Sequence, residues 1–377
     1  MVVFTSICAN YLHKARLLSK SAKDNLADAT FIVCLLEREM KPEYEFECFD
    51  GVVLAKDAWG AGFDEFVFKH RIVEASTAVK AQFFIYLQDQ FPQETHFVYL
   101  DPDIYVYDDF VELKDALSDN PIVLCPHLLQ PGNIDMEISC LAHGVYNLGF
   151  LAVNRSAEAA SFLKWWADRL SVYCIDDIPR GLFTDQRWMD LAPCFFQTYV
   201  LKHRGYDFAI WSLLDCCATE TNGKVFIKGD PLRFAHFSDL ETIFERCMDD
   251  WLPPGEKVVH GLYDEYKKLH TSYNSDGISR SSWSYATYFS GEKISDSARI
   301  FFRDNRHLFP ADTNPYSLSD GEIENPHSLT VPDGETENPR RLTVRTMEII
   351  NKEGLRVFIK KAPRRFLRRV KRRLLSG

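Results

Sequence analysis

VVFTSICANYLHKARLLSKSAKDNLADATFIVCLLE, residues 2–37, decides the fold class. The run 2–8 is short and apolar, and 30–37 is a second apolar run, rich in β-branched residues and of strand length. Between them a polar stretch from about His13 to Asp28 predicts a helix. Strand, helix, strand at this spacing is a βαβ opening, which implies an α/β domain with a mainly parallel sheet. Further strands are expected at 96–100 (HFVYL), 121–125 (PIVLC) and 148–153 (LGFLAV), with helices over 74–90 and 156–173.

Beyond residue 245 the strand signal fades. Residues 256–270 and 292–305 read as helices, the second with Ile294, Ala298 and Phe301 or Phe302 on one face. A tandem repeat follows: DGEIENPHSLTV (320–331) recurs as DGETENPRRLTV (333–344). Two copies are too few for a solenoid, and their Gly, Pro, Asn and acid content reads as a duplicated linker. The expected organisation is an α/β domain over 1–245, a helical extension over 246–318, a linker over 319–344 and a basic amphipathic helix over 345–377.

The 377 residues are 46% hydrophobic and 26% charged, which excludes a disordered chain, a collagen-like one and a disulfide-stapled miniprotein. No run approaches the roughly eighteen apolar residues that would span a bilayer, and the start MVVFTSICANYL lacks the basic and long apolar parts of a secretory signal. Ten cysteines with no CxxC pair point to reduced thiols and a cytoplasmic chain. The net charge of −10 is uneven: from Arg345 onward twelve Lys/Arg face two Glu, so the first 344 residues carry −20. An acidic body argues against nucleic acid as a partner. In the tail, Leu355, Ile359, Ala362, Phe366, Val370 and Leu374 form an apolar stripe among ten Lys/Arg, with Pro363 as a kink. That is the profile of a helix lying on an anionic membrane surface.

The chemistry sits in HFVYLDPDIYVYDDFVEL (96–113), where an apolar strand ends in Asp101 and Asp103. In an extended segment residues two apart point the same way, so both carboxylates can reach one hard divalent cation. Strand C-termini are also where open α/β sheets bind ligands. A different reading of the same DxD is a haloacid-dehalogenase-like phosphatase with Asp101 as nucleophile; its partners would be Lys114 or the Asp176–Asp177 pair.

Six blocks in order resemble the GT-A fold glycosyltransferases that use nucleotide sugars, above all bacterial surface-polysaccharide enzymes related to the glycogenin-like family 8. They are TSICANYLHKARLLSKS (5–21), YLDPDIYV (99–106), YNLGFLAV (146–153), TDQRWMDLAP (184–193), GYDFAIWSL (205–213) and RFAHFSDL (233–240). The resemblance implies a Rossmann-type nucleotide-sugar domain that transfers a sugar to a saccharide or lipid-linked acceptor, with retention of configuration. It implies Mn²⁺ or Mg²⁺ on Asp101 and Asp103, with His236 as third ligand. Thr5, Cys8, Asn10 and Tyr11 would line the nucleotide pocket, Lys80 would meet a phosphate, and Asn147, Asp185 and Gln186 would hold the donor sugar near the reaction centre. With the basic tail, it implies a peripheral protein on the inner face of the cytoplasmic membrane. Asp207 and Ser212 stand where the resembled sequences tend to carry Asn. A catalytically silent nucleotide- or glycan-binding protein on the same fold is the remaining alternative.

Overall fold

In the computed structural model, which describes residues 1–326, β1 (Val2–Ile7) and β2 (Thr30–Leu35) pair in parallel, with α1 (Leu12–Asn25) between them in the chain. Every residue of β1 is buried, as a strand covered on both faces must be. Alternate side chains go to opposite layers. Val2 and Phe4 join Phe83, Tyr99 and Trp166, while Val3 and Ile7 join Leu12, Leu18 and Val98.

The sheet also contains β3 (Gly51–Leu54), β4 (His96–Leu100), β6 (Ile122–Pro126), β7 (Tyr146–Asn154) and β8 (Thr198–Val200), in the order β8-β6-β7-β4-β1-β2-β3. β7 runs antiparallel to β4 and β6, and the other pairs are parallel. The expected α/β architecture with a mainly parallel sheet is therefore present. Outside this sheet, β5 (Ile104–Val106) pairs antiparallel with β9 (Phe234–His236).

The single helix expected over 74–90 is two helices, α2 (Ile72–Ala78) and α3 (Lys80–Gln90), meeting at Val79. The second opens on Lys80, which is buried and must find counter-charges. α4 (Ala157–Tyr173) is capped by the Ser156 hydroxyl, which accepts from the Ala159 N–H at 3.1 Å. It buries Phe162, Leu163, Trp166 and Leu170 against the sheet at helical spacing.

The extension completes the core. α5 (Val258–Tyr273) buries Val259, Leu262, Tyr263, Tyr266 and His270, and His270 meets His13 of α1, Nε2 to Nε2, at 3.0 Å. α6 (Asp296–Asp304) starts later than its sequence pattern suggests, because Ser295 caps it by accepting from the Ala298 N–H. Trp283, Tyr285, Tyr288, Phe302, Phe309 and Tyr316 join the same apolar cluster as Phe4 and Phe68. Arg38, just past β2, lies over the rings of Tyr285, Phe289 and Tyr316 at 4.5, 4.8 and 4.1 Å. Buried Glu37 accepts from the N–H groups of Ala9 (2.9 Å) and Ser284 (2.8 Å), tying the loop after β1 to the extension.

The first repeat copy is folded at its start: α7 (Asp320–Glu324) is capped by Ser319 and buries Ile323 completely. The rest of the expected linker and the basic amphipathic segment of 345–377 lie outside the described residues. Among the described residues, no helix is long and apolar enough to cross a membrane.

Candidate metal centre

Asp101 and Asp103 do not sit on one extended strand, as the spacing argument assumed. The Ile104 N–H donates to the Asp101 carbonyl at 3.1 Å, closing a turn with Pro102 at its second position, the place where its fixed φ suits a turn. The two carboxylates converge through this turn instead. It lies at the C-terminal end of β4, which runs parallel to β1.

His236 arrives from the far end of the domain through the β5–β9 pairing, which sets it opposite Ile104. The Phe237 N–H donates to the Asp103 carbonyl at 2.9 Å and holds that register. Nε2 of His236 is then 3.1 Å from Oδ1 of Asp103 and 3.9 Å from Oδ2 of Asp101. One ligand atom from each of Asp101, Asp103 and His236 lies within 4.8 Å of the others. Gly149 makes room for the imidazole: a Cβ there would stand 2.5 Å from Cε1 of His236 and 2.6 Å from Oδ1 of Asn147. The Asp101 N–H donates to the Gly149 carbonyl at 2.8 Å, so the same glycine also anchors the turn.

The electrostatics are those of clustered carboxylates around one imidazole. Burial works against the imidazolium of His236, but the carboxylates of Asp103 and Asp207 outweigh it and push its pKa up to about 10. Burial likewise raises Asp103, yet His236 and Lys14 more than compensate and leave its carboxyl well below the usual range. Lys14 Nζ is 3.7 Å from Oδ2 of Asp103. Two carboxylates and an imidazole fit a divalent ion: hard oxygens suit Mg²⁺ and Mn²⁺ alike, while the imidazole tilts the set towards Mn²⁺.

Behind Asp101 lies Lys80. Its ammonium donates to the Leu148 carbonyl at 2.9 Å, is 3.0 Å from Oδ2 of Asp185 and 3.6 Å from Oδ1 of Asp101, and lies 4.1 Å over the Tyr99 ring. Burial lowers its pKa, but the two carboxylates hold it above the ordinary lysine value. For Asp185 the balance is opposite: burial raises its pKa and Lys80 offsets this only in part. The pair is thus favourable for the lysine and costly for Asp185, which has only one close counter-charge. Lys80 was expected to meet a phosphate; the structure places it beneath Asp101, with its three N–H directions turned to protein oxygens. The Tyr99 hydroxyl bonds Oδ1 of Asp101 from the same side.

Asn147 and Gln186 are drawn into local structure. Oδ1 of Asn147 accepts from the Gly149 N–H at 2.9 Å, and its Nδ2 is 3.2 Å from Nε2 of His127. Gln186 accepts from the Leu148 N–H at 3.0 Å and donates to the His143 carbonyl at 3.1 Å. Asp185 follows Thr184, whose φ of 44° is unusual for a β-branched residue and whose hydroxyl donates to Oδ1 of Asp185. Of the expected nucleotide-pocket residues, Thr5 and Cys8 are buried, with Cys8 in the apolar core. Asn10 is half-buried, and Tyr11 is the exposed member at 40%. The phosphatase partners are engaged elsewhere: Lys114 pairs with Asp109 at 2.6 Å and Arg180 with Asp177 at 3.2 Å.

Sequence reasoning missed Lys14, Tyr99, Gly149 and the part played by Asp207. Lys14 and Tyr99 stood inside quoted motifs, two positions from Leu12 and Asp101 respectively. The contact of Asp207 with His236 depends on a strand pairing that no local pattern shows.

No family model matches the chain. The uncharacterized protein YfnD of Bacillus subtilis (strain 168) is 24% identical over 174 residues, or 45% of this chain and 54% of its own length, so the match spans about half of that relative. Among solved structures, the chain is similar to the galactosyltransferase LgtC in complex with donor and acceptor sugar analogues, at 16% identity over 72% of this chain and 96% of that one, with a TM-score of 0.40. It is also similar to the glycosyltransferase GlyE of Streptococcus pneumoniae, at 14% identity over 74% and 65%, TM-score 0.42. Mouse xyloside xylosyltransferase 1 is similar at 13% identity over 64% and 98%, TM-score 0.36.

Proposed function

We propose that the chain is a metal-dependent glycosyltransferase. It moves a sugar from a nucleoside diphosphate sugar to a saccharide or lipid-linked acceptor, in the synthesis of bacterial surface polysaccharide and with retention of configuration. The observation that carries this reading is the convergence of Asp101, Asp103 and His236 at the C-terminal edge of a mainly parallel sheet, beside the loop after β1. When bound there, Mn²⁺ or Mg²⁺ would supply charge neutralisation for the departing diphosphate.

The chain's own residues do the rest. Lys80 and the Tyr99 hydroxyl fix the Asp101 carboxylate from below, leaving its Oδ2 towards His236. Tyr11 and Lys14, at the start of α1, flank the same edge, with the Lys14 ammonium 4.7 Å over the Tyr11 ring. They would contact the nucleotide, with Thr5, Cys8 and Asn10 shaping the loop from within. Gln186 and Asn147 set the backbone of 147–149 through the bonds described above and so hold the wall against which the donor sugar would rest. Asp185 stands behind that wall as the carboxylate nearest Lys80. The basic segment would keep the enzyme on the inner face of the cytoplasmic membrane, near a lipid-linked acceptor.

The test is a screen of nucleotide sugars for Mn²⁺-dependent release of nucleoside diphosphate, read with thermal unfolding. A ligand at one hundred times its dissociation constant adds about 2.7 kcal/mol. The expected result is one donor that both stabilises the chain and is turned over, with chelator and Asp103→Asn each strongly lowering turnover. Release of inorganic phosphate alone would favour the phosphatase. Stabilisation by nucleotide without turnover on any donor would favour a binding protein.

A further inference from the structure

We propose that Asp207 is a positioning residue of the metal centre: its carboxylate takes the Nδ1–H of His236 and so presents Nε2 to the cation shared with Asp101 and Asp103. This inference rests on the metal-dependent reading above.

Asp207 is 2% exposed, and neither of its carboxylate oxygens has a hydrogen-bond partner. Nδ1 of His236 is likewise buried without one. These orphans face each other, Oδ1 to Nδ1, at 3.5 Å, longer than a well-formed hydrogen bond but close for an ion pair. Buried polar groups are almost always partnered, and a buried carboxylate is costly without a compensating charge. Two that lack other partners and meet across one gap are therefore a pair.

The backbone holds Asp207 for this contact. Its φ of 53° lies in the left-handed region, which aspartate tolerates better than most residues. Immediately after it the chain is fastened to β9: the His236 N–H donates to the Phe208 carbonyl at 2.8 Å and the Phe208 N–H to the Phe234 carbonyl at 3.3 Å. Any shift of Asp207 is thereby tied to the strand that carries His236. The ring has little freedom of its own, with Gly149 against Cε1 and Nδ1 and the Trp211 ring edge-on at 5.7 Å. One nitrogen is left for Asp207, and the other faces Asp103 at 3.1 Å.

The division matters because the imidazole can ligate only through the nitrogen that carries no proton. A carboxylate can only accept, so it fixes the proton on Nδ1 and leaves the Nε2 lone pair for the metal. Such carboxylate–histidine–metal arrangements also make the ligand more basic, and loss of the outer carboxylate weakens metal binding about 10- to 100-fold.

The experiment titrates Mn²⁺ into the full chain by calorimetry for the native protein, Asp207→Asn and Asp207→Ala. Asp103→Asn serves as the blocked-site control, and melting curves check the fold. Histidine-labelled ¹⁵N spectra, assigned with His236→Gln, report Nδ1 of His236 without metal and with Mg²⁺. The expected result is about 10- to 100-fold weaker Mn²⁺ binding in Asp207→Ala, a smaller loss in Asp207→Asn, and a displaced Nδ1 resonance. Mn²⁺ affinity within twofold of native, together with an unmoved Nδ1 resonance, overturns the proposal. Should Asp207→Ala not fold, the same two criteria apply to Asp207→Asn. If the native chain binds no Mn²⁺, the metal reading itself fails. The metal-free spectra then decide on Asp207 separately: an unmoved Nδ1 removes its role, and a displaced one retains it as the group that holds the imidazole.

Discussion

The ammonium of Lys80 is 3.0 Å from Oδ2 of Asp185, with both side chains 2% exposed. A pair so fully withdrawn from water is held by mutual need: removing one partner strands the other's charge in low dielectric. Lys80 is also the nearest cation to Asp101, which makes it the link between the turn after β4 and the segment that starts at Thr184.

Lys80→Met should therefore cost about 3–5 kcal/mol of unfolding free energy. Asp185→Asn in the same chain should recover part of that loss, a coupling that a double-mutant cycle in urea would measure. A single-mutant loss below about 1 kcal/mol would contradict the pairing described here.

Asp103→Asn keeps the side-chain volume and an oxygen that can accept from Nε2 of His236, but it removes the charge facing that imidazole, so its melting temperature should fall while the chain still folds. Turnover should fall by about 10²–10³-fold, the scale of losing one group that stabilises developing charge. Near-native rates, or rates indifferent to chelator, would refute a metal held at this turn.

Gly149→Ala places a methyl within 2.5 Å of Cε1 of His236 and 2.6 Å of Oδ1 of Asn147. Overpacking of this kind costs about 1–3 kcal/mol. Because the Gly149 carbonyl also receives the Asp101 N–H, Mn²⁺ affinity should drop alongside stability. Calorimetry and denaturant unfolding on one preparation separate the two effects.

Acid should weaken the fold through buried imidazoles, His13 and His70 among them. Burial, reinforced by His270 and Lys14, lowers the pKa of His13 from 6.5 to about 4. Burial also lowers that of His70 to about 4, despite the bond between its Nδ1 and the Phe66 carbonyl. In both cases the unfolded chain binds the proton more tightly, so stability is full above the ordinary value near 6.5 and is lost as pH falls from there towards about 4. His70→Phe should flatten part of that slope between pH 7 and 4.5, at a cost near 1 kcal/mol at neutral pH for the lost hydrogen bond. An unchanged slope would show that other groups carry the acid sensitivity.

Truncation after residue 344 removes twelve Lys/Arg and the apolar stripe. Each basic residue near an anionic surface is worth about 1 kcal/mol, screened over about 8 Å at physiological salt. The full chain should float with anionic liposomes at low salt and less at high salt, and the truncated chain should not float. Equal flotation would remove the tail from the membrane argument.

How much of this was legible beforehand follows from range. The βαβ opening, the strand ending at Leu100 and the DxD are local patterns, and they were readable from period and composition. The order of motifs brought His236 into view as a ligand without saying how it reaches Asp103, since a three-residue pairing of β5 with β9 has almost no sequence signal. The spacing rule brought the two carboxylates together by the wrong geometry, because Pro102 converts the expected extended segment into a turn. Lys80 was found as a residue and expected to meet a phosphate; its burial against Asp101 and Asp185 is a matter of three-dimensional partners that no helix pattern shows.

The folded start of the first repeat copy has a bearing on the second. Ile323 is wholly buried in the core, and Ser319 caps the short helix that carries it. At the same places relative to the second copy stand Thr336 and Pro332, which would bring a hydroxyl into that apolar seat and offer no cap. The two copies are thus alike enough to compete for one berth, yet differ at the positions that grip it. A thirteen-residue slip of the chain into this seat is discriminated against by the side chains of Ile323 and Ser319. Exchanging Ile323 with Thr336 would remove one of those two preferences, and a chain seated by its second copy would have thirteen fewer residues between the seat and Arg345.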